Sequence, residues 1–208
     1  MDKKRIALSV VVAGSLLAGG VAYSMKDIKS TVPIAASPQV ATETHSTIHA
    51  DRPQYSNIND LRQASDLIFM GTVQGIDGTR NLARDPQNPL QEDPNLYIEG
   101  VDYKVKVVES LKGKAEADVL VTEQKQMRLS KDQPMVLDED YIGLNTGQTY
   151  IFFVKKSTST GRYYSAGVPF FFVIENNMAV LKTTEKDLEA LYKPADVTSF
   201  KKAVKEGN

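Results

Sequence analysis

Few side chains in this sequence have the type and spacing to do chemistry, and the spacing argues against most of the options. His45 and His49 stand four apart, a separation that on a helix could hold a metal ion. Thr44, Ser46 and Thr47 and the nearby Pro53 oppose a stable helix there, and with no third ligand the pair reads as two solvated histidines. Asp138-Glu139-Asp140 supplies hard oxygens, but it lacks the alternating ligands and the glycine of a calcium loop and reads as a solvated acidic turn. Ser65-Asp66 and Ser110 border apolar runs with no histidine in the same part of the chain to act as a base. The absence of cysteine removes disulfides, thiolate ligands, a thiol nucleophile and the lipid-modified cysteine of a lipoprotein. No glycine-rich phosphate loop is present. The pattern points to a protein that is not an enzyme and takes no metal or other cofactor. An enzymatic reading would need two carboxylates, for instance Glu123 and the Asp138 to Asp140 run, converging in a concave pocket.

Binding chemistry is better represented. The stretch from Asp77 to Gly100 is polar, carries Pro86, Pro89 and Pro94, and reads as a long loop of the kind that is usually functional or disordered. Arg80, Arg84 and Tyr97 within it, with Lys104 and Lys106 just beyond, are the candidate recognition residues. Tyr163 and Tyr164 offer rings for stacking, whereas Phe170, Phe171 and Phe172 are expected in the core. Alternating lysines serve solubility equally well. The net charge of −1 and pI near 6.2 give no general attraction to nucleic acid.

These side chains need a frame, and its clearest part is Tyr103 to Gly113. Tyr103, Val105 and Val107 alternate with Lys104 and Lys106, the period of a half-buried strand. Lys112-Gly113-Lys114 turns the chain, and Val119 and Val121 resume the alternation. Leu67 to Val73 is continuously apolar and predicts a central strand ending at Gly75 and Gly78. Ser56 or Asn57 caps a preceding short helix with Ile58, Leu61 and Ala64 on one face. The segment from Gln124 to Gly147 is mixed and leaves a short helix or a meander open. Thr149 to Val154 is a further apolar strand. Phe170 to Ile174 and Met178 to Leu181 form a hairpin about Asn176-Asn177. Leu188, Leu191 and Tyr192 predict one C-terminal helix; Val197, Phe200, Lys201 and Val204 predict a second beyond Pro194.

Within its 208 residues the chain has room for one domain and a tail. Lys3, Lys4 and Arg5 precede an uncharged run from Ile6 to Tyr23, a basic start and apolar middle that read as an export signal. Residues 1–24 are therefore expected to be a signal peptide, cut after Ser24, or a membrane anchor through residues 6–23. Residues 25–55, rich in Ser, Thr, Ala and Pro, read as a flexible linker, and residues 56–208 as the folded domain. The expected location is extracytoplasmic, tethered to the membrane or secreted. Export without cysteine fits a Gram-positive-type envelope.

Several short strands with a polar excursion before the fourth describe a mainly β fold, a small OB-like Greek-key barrel with a short N-terminal helix and C-terminal helices. Ala64 to Val73, then Tyr103-x-Val105-x-Val107 running into Leu111-Lys112-Gly113, then Leu144-x-x-Gly147-x-x-Tyr150-Ile151-Phe152-Phe153 follow one another in order. That series resembles the OB-like domain of tissue inhibitors of metalloproteinases and netrin modules, in the form found in exported bacterial proteins, over roughly residues 60 to 175. The animal inhibitors present an N-terminal cysteine to a catalytic zinc. With no cysteine here, the resemblance implies a fold and transfers no inhibitory residue. The expectation is a non-catalytic binding or interaction module of the cell envelope with a protein or envelope-polymer partner. The alternative is an extracellular protease inhibitor acting through a loop.

Overall fold

The structure, a computed structural model, describes residues 47–48, 53–158, 160–168 and 171–207, all within one unit, Glu43–Asn208. The expected signal or anchor, both linker histidines and Phe170 lie outside the described residues. Among the described residues no helix is long and apolar enough to cross a membrane.

In chain order the elements are β1 (Thr47–Ile48), α1 (Ile58–Ala64), β2 (Leu67–Asn81), β3 (Tyr97–Lys112), β4 (Asp118–Arg128), β5 (Val136–Asp138) and β6 (Thr149–Lys156). There follow β7 (Tyr163–Ser165), β8 (Phe171–Glu175), β9 (Met178–Leu181), α2 (Lys186–Leu191), β10 (Ala195–Asp196) and α3 (Val197–Glu206). The chain is mainly β, as its alternation predicts. Strands β2, β3 and β4 form an antiparallel meander, and β6 returns to the free side of β2. The spatial order β6-β2-β3-β4 is a Greek key. β7 closes it, antiparallel to β6 and parallel to β4, so five strands make one ring. β8, β9 and β10 extend the sheet beyond β6; β5 and β1 extend it beyond β4.

The continuous apolar run of β6 follows from having a core on each side. Tyr150, Phe152 and Val154 point into the ring with Leu67, Phe69, Val101, Tyr103, Val105 and Val121. Ile151 and Phe153 point outward, where α1, α2 and α3 cover them with Leu61, Leu188, Tyr192, Phe200 and Val204. Ring contacts fill both cores: Phe69 stacks on Phe152 at 5.1 Å, and Phe172 lies 4.7 Å from Phe200. A phenylalanine taken from water into such packing contributes about 2–3 kcal/mol. Gly71 is needed where β2 passes β3, because a Cβ there would lie 2.7 Å from Val105 Cγ1.

Local chemistry sets the ends. Asn57 caps α1 by accepting from the Asp60 amide at 2.9 Å. Lys112 Nζ donates to Arg62 O at 2.7 Å and to Ser65 O, binding the end of α1 to the end of β3. Asn176 and Asn177 take φ of 50° and 62° in the β8–β9 turn, the left-handed pair the hairpin predicts. Asp196 caps α3 through the Thr198 and Ser199 amides.

Three expectations change, and the choice left open for the 124–147 segment falls to the meander. β2 continues through its glycines to Asn81 and β3 starts at Tyr97, so the loop spans only residues 82–96. Register shifts at Val73/Gly75 and Ile76/Gly78 absorb the irregularity, and the glycines mark bulges where strand ends were expected. The 124–147 segment has no helix: β4 runs on to Arg128 and β5 pairs with it. Leu191 leaves the apolar face of α2 and is 56% exposed. The distal linker joins the domain, since Thr47–Ile48 pair with β5, Tyr55 N donates to Val168 O, and Tyr192 Oη donates to Tyr55 O.

Candidate functional site

The ring is weakest where it closes. β4 and β7 pair over two positions only, Val121 with Tyr163 and Thr122 with Tyr164. Beyond Thr122 the strands part, and β4 turns its next paired residues, Gln126 and Met127, to β5. A cleft of about 440 Å³ opens at this seam, within the range of small-ligand sites. Thr122, Glu123 and Gln124 form one wall and Tyr164 to Gly167 the other, with Pro53 and Leu82 as apolar parts of the lining; the Glu123 carboxylate accepts from the Ile142 and Gly143 amides. Arg80 enters from the end of β2 and Arg84 from the β2–β3 connection, Ser157 and Thr160 from the β6–β7 turn. In OB-type folds the loop between the first two strands and the loop between the fourth and fifth flank the binding face. These are the corresponding connections.

A buried carboxylate holds the cleft's margin together. Asp102, 3% exposed, is on the outward side of β3, in register with Thr122. Arg80 Nε is 3.2 Å from Asp102 Oδ1, and Arg162 Nε is 2.8 Å from Oδ2. Thr122 Oγ1 donates to Oδ1, and Arg80 Nη2 donates to Thr122 Oγ1 at 3.0 Å. A buried charge needs such compensation. The effect is to tie the end of β2 and the residue before β7 to the β3–β4 pair.

Arg84 is placed differently. Its Nη1 donates to Asn81 O at 3.1 Å and Ala83 O at 3.2 Å, and Glu92 Oε1 lies 3.9 Å away. Asn81 is itself fixed, its Oδ1 accepting from the Ala83 and Ile98 amides. The 82–96 loop is further braced by Asp85 on the Gln87 amide and Asp93 on the Asn95 and Leu96 amides. The Leu96 and Asn95 amide bonds hold the partly buried Asp93 carboxyl below its ordinary range.

Of the six residues singled out by sequence, the structure brings Arg80 and Arg84 together in the cleft. Lys104 and Lys106 are exposed on the outward face of β3. Tyr97 lies beneath the Arg128 guanidinium, 5.5 Å from it, and does not line the cleft. Tyr163 packs against the ring core, and the half-exposed neighbour Tyr164 lines the cleft instead. Asp102, Thr122, Gln124 and Arg162 were not singled out. The one sign of Asp102 was an acid breaking the lysines' outward row at 104 and 106.

The acidic run is not the solvated loop its composition suggests. Asp138 is fully buried and accepts from the Asp140 amide at 3.0 Å. Glu123, also buried, accepts from the Ile142 and Gly143 amides at 3.2 and 3.3 Å, so these acids organise the 138–143 turn. Above them Tyr103 and Tyr141 share a hydroxyl hydrogen bond of 3.0 Å. Burial first, then the Tyr141 bond and the Glu123 charge, push Tyr103 far above the usual phenol range. Burial also raises Tyr150, whose hydroxyl accepts from the Asn145 amide. Among the described residues no group of three or more His, Asp or Glu is placed to hold a metal ion. No protein-family model matches the chain, and no curated protein matches it in sequence.

Proposed function

We propose that the chain is an exported, non-catalytic binding module of the cell envelope, held at the membrane or released, whose ligand occupies the seam cleft. The observation that carries this reading is the opening between β4 and β7. It is flanked by the two connections that OB-type folds use for recognition, and it is lined by arginines, hydroxyls and one half-exposed tyrosine. Export rests on the basic start and apolar run at the N-terminus. The likeness to the inhibitor and netrin modules supports the same kind of ring and, lacking the terminal cysteine, not their zinc chemistry. The test is retention of the full chain on envelope fractions, with protease accessibility in intact cells reporting its side of the membrane. Tyr164→Ala and Arg84→Ala should lose retention, and the Lys104→Ala, Lys106→Ala pair should keep it. Retention that ignores the cleft variants, or a chain shielded from external protease, defeats the proposal.

A second reading, protease inhibition through a loop, is favoured by Leu90, 86% exposed at the tip of the braced 82–96 loop. Such a loop presents an apolar side chain at low entropic cost. Inhibition of metallo- or serine proteases that disappears with Leu90→Ser would support it.

A further inference from the structure

We infer that the seam cleft takes a hydroxyl-rich anionic polymer, one carboxylate or phosphate of which binds the Arg84 guanidinium. This rests on the binding-module reading and adds the chemical class of the ligand. Three observations lead to it.

The first is the donor inventory. A guanidinium carries five N–H donors in a planar fork suited to carboxylate or phosphate. Arg84 uses Nη1 alone on Asn81 O and Ala83 O. Among the described residues its Nε and Nη2 have no hydrogen-bond partner, and Glu92 at 3.9 Å is beyond hydrogen-bond reach. The backbone contacts therefore fix the fork while leaving its other donors for a ligand. Arg80 differs, because Asp102 and Thr122 engage it.

The second is a neutral donor in the wall. Gln124 Nε2 is buried and has no hydrogen-bond partner among the described residues. An unsatisfied buried amide donor is costly, and because Gln124 lines the cleft, a small turn of its side chain would bring this donor to a ligand oxygen.

The third is what surrounds the charge. Ser157 and Thr160 supply hydroxyls, and Tyr164 supplies a ring face beside apolar Pro53 and Leu82; the Thr122 hydroxyl is already engaged by Asp102 and Arg80. Hydroxyls, an amide and one aromatic ring suit a polyhydroxylated chain. An extended acidic peptide would seek a free strand edge, yet β4 is paired on this side at Val121 and Thr122 with β7 and at Gln126 and Met127 with β5. A nucleic acid would want several rings and a stronger positive field than a chain of net charge −1 provides.

The experiment titrates the full chain with tetragalacturonate, its methyl ester, a short poly(glycerol phosphate) and pentaglutamate, read by calorimetry and by amide shifts. Tetragalacturonate or poly(glycerol phosphate) should bind, shifting Arg84, Gln124, Thr160 and Tyr164; the two arms tell carboxylate from phosphate. Arg84→Ala should weaken that binding about tenfold to hundredfold. Arg84→Lys should also weaken it, because the ammonium cannot bind two oxygens side by side. Equal binding of the methyl ester overturns the anion assignment and leaves the cleft as a binding site. Preference for pentaglutamate overturns the polymer class. Binding that ignores Arg84 and Tyr164 but falls with Lys104→Ala and Lys106→Ala overturns the cleft reading as well. Absence of binding by both anionic polymers overturns the inference.

Discussion

Asp102→Ala tests whether the seam is held by charge. Asp102 faces Arg80, Arg162 and Thr122 together. Stripping one partner from a buried ion pair costs about 3–5 kcal/mol, chiefly because the remaining charge is left uncompensated. The two guanidiniums here keep 19% and 32% of their side-chain surface in water. On losing Asp102 they can rotate outward and regain solvation, which places the cost near the lower bound, about 3 kcal/mol. For a domain of this size that is a fall in Tm of roughly 6–12 °C. The assay is thermal and urea unfolding of Asp102→Ala, Arg162→Ala and the double variant. A coupling energy of about 1–3 kcal/mol between the two sites is expected. Amide exchange localises the effect: Val121, Thr122, Tyr163 and Tyr164 should open faster in Asp102→Ala, while Ile151 and Phe152 keep their protection. Additive single-variant effects, or a seam no more open than the rest of the ring, would refute the argument.

Three further outcomes follow from the packing. Val105→Asp should cost several kcal/mol, about 4, by placing an unpaired charge in the ring core, whereas Lys106→Asp should be within about 1 kcal/mol of the parent by urea unfolding. Gly71→Ala puts a methyl 2.7 Å from Val105 Cγ1 and 3.0 Å from the Lys106 carbonyl oxygen, so β2 and β3 must separate and the unfolding free energy from urea titration should drop by about 1–3 kcal/mol. Glu109 is held below its ordinary value of 4.5, first by hydrogen bonds from Lys201 and then from Lys205. Its folded pKa is thus below the unfolded one, so its contribution is complete above pH 4.5 and is lost as pH falls through the lower folded value. Exchange of the α3 amides should accelerate over that range, and Glu109→Gln should flatten the dependence.

What could be read from the sequence, and what could not, follows from the range of the interactions. Tyr103 to Lys106 announces its facing because alternation is a local property, and Asn176-Asn177 announces a turn because its backbone demand is local too. The continuous run of β6 was legible as a strand. Its reason was not, since the second core needs Phe200 and Tyr192 from the far end of the chain. The candidate site was half legible: Arg80 and Arg84 stood out as cations in a polar stretch. Asp102 and Arg162, sixty positions apart, meet only once β7 has closed the ring. Tyr163 and Tyr164 are adjacent in sequence and opposite in role, and choosing between them requires the register of β7 against β4. The acids at 138–140 misled because composition cannot show that Asp138 accepts from an amide two residues on.

That closure also explains why the cleft lies where it does. Every other junction of the ring is antiparallel and longer: β2 with β6 pairs from Leu67 to Thr72, and β3 with β4 from Tyr97 to Lys106. A parallel contact of two residues is the least able to hold itself by backbone bonds. The ring compensates with side chains, and the ones it uses, Arg80, Thr122, Asp102 and Arg162, also build the margin of the opening. Stability and recognition are therefore coupled at one place. A ligand that bridges Arg84 on the β2–β3 side to Thr160 on the β6–β7 side would span the seam, and by linkage it must stabilise the closed ring. Protection of the Val121, Thr122 and Tyr164 amides should accordingly rise with ligand, and rise most in Asp102→Ala, where the seam is already weakened. Binding that leaves those amides unchanged would mean the occupied surface lies elsewhere.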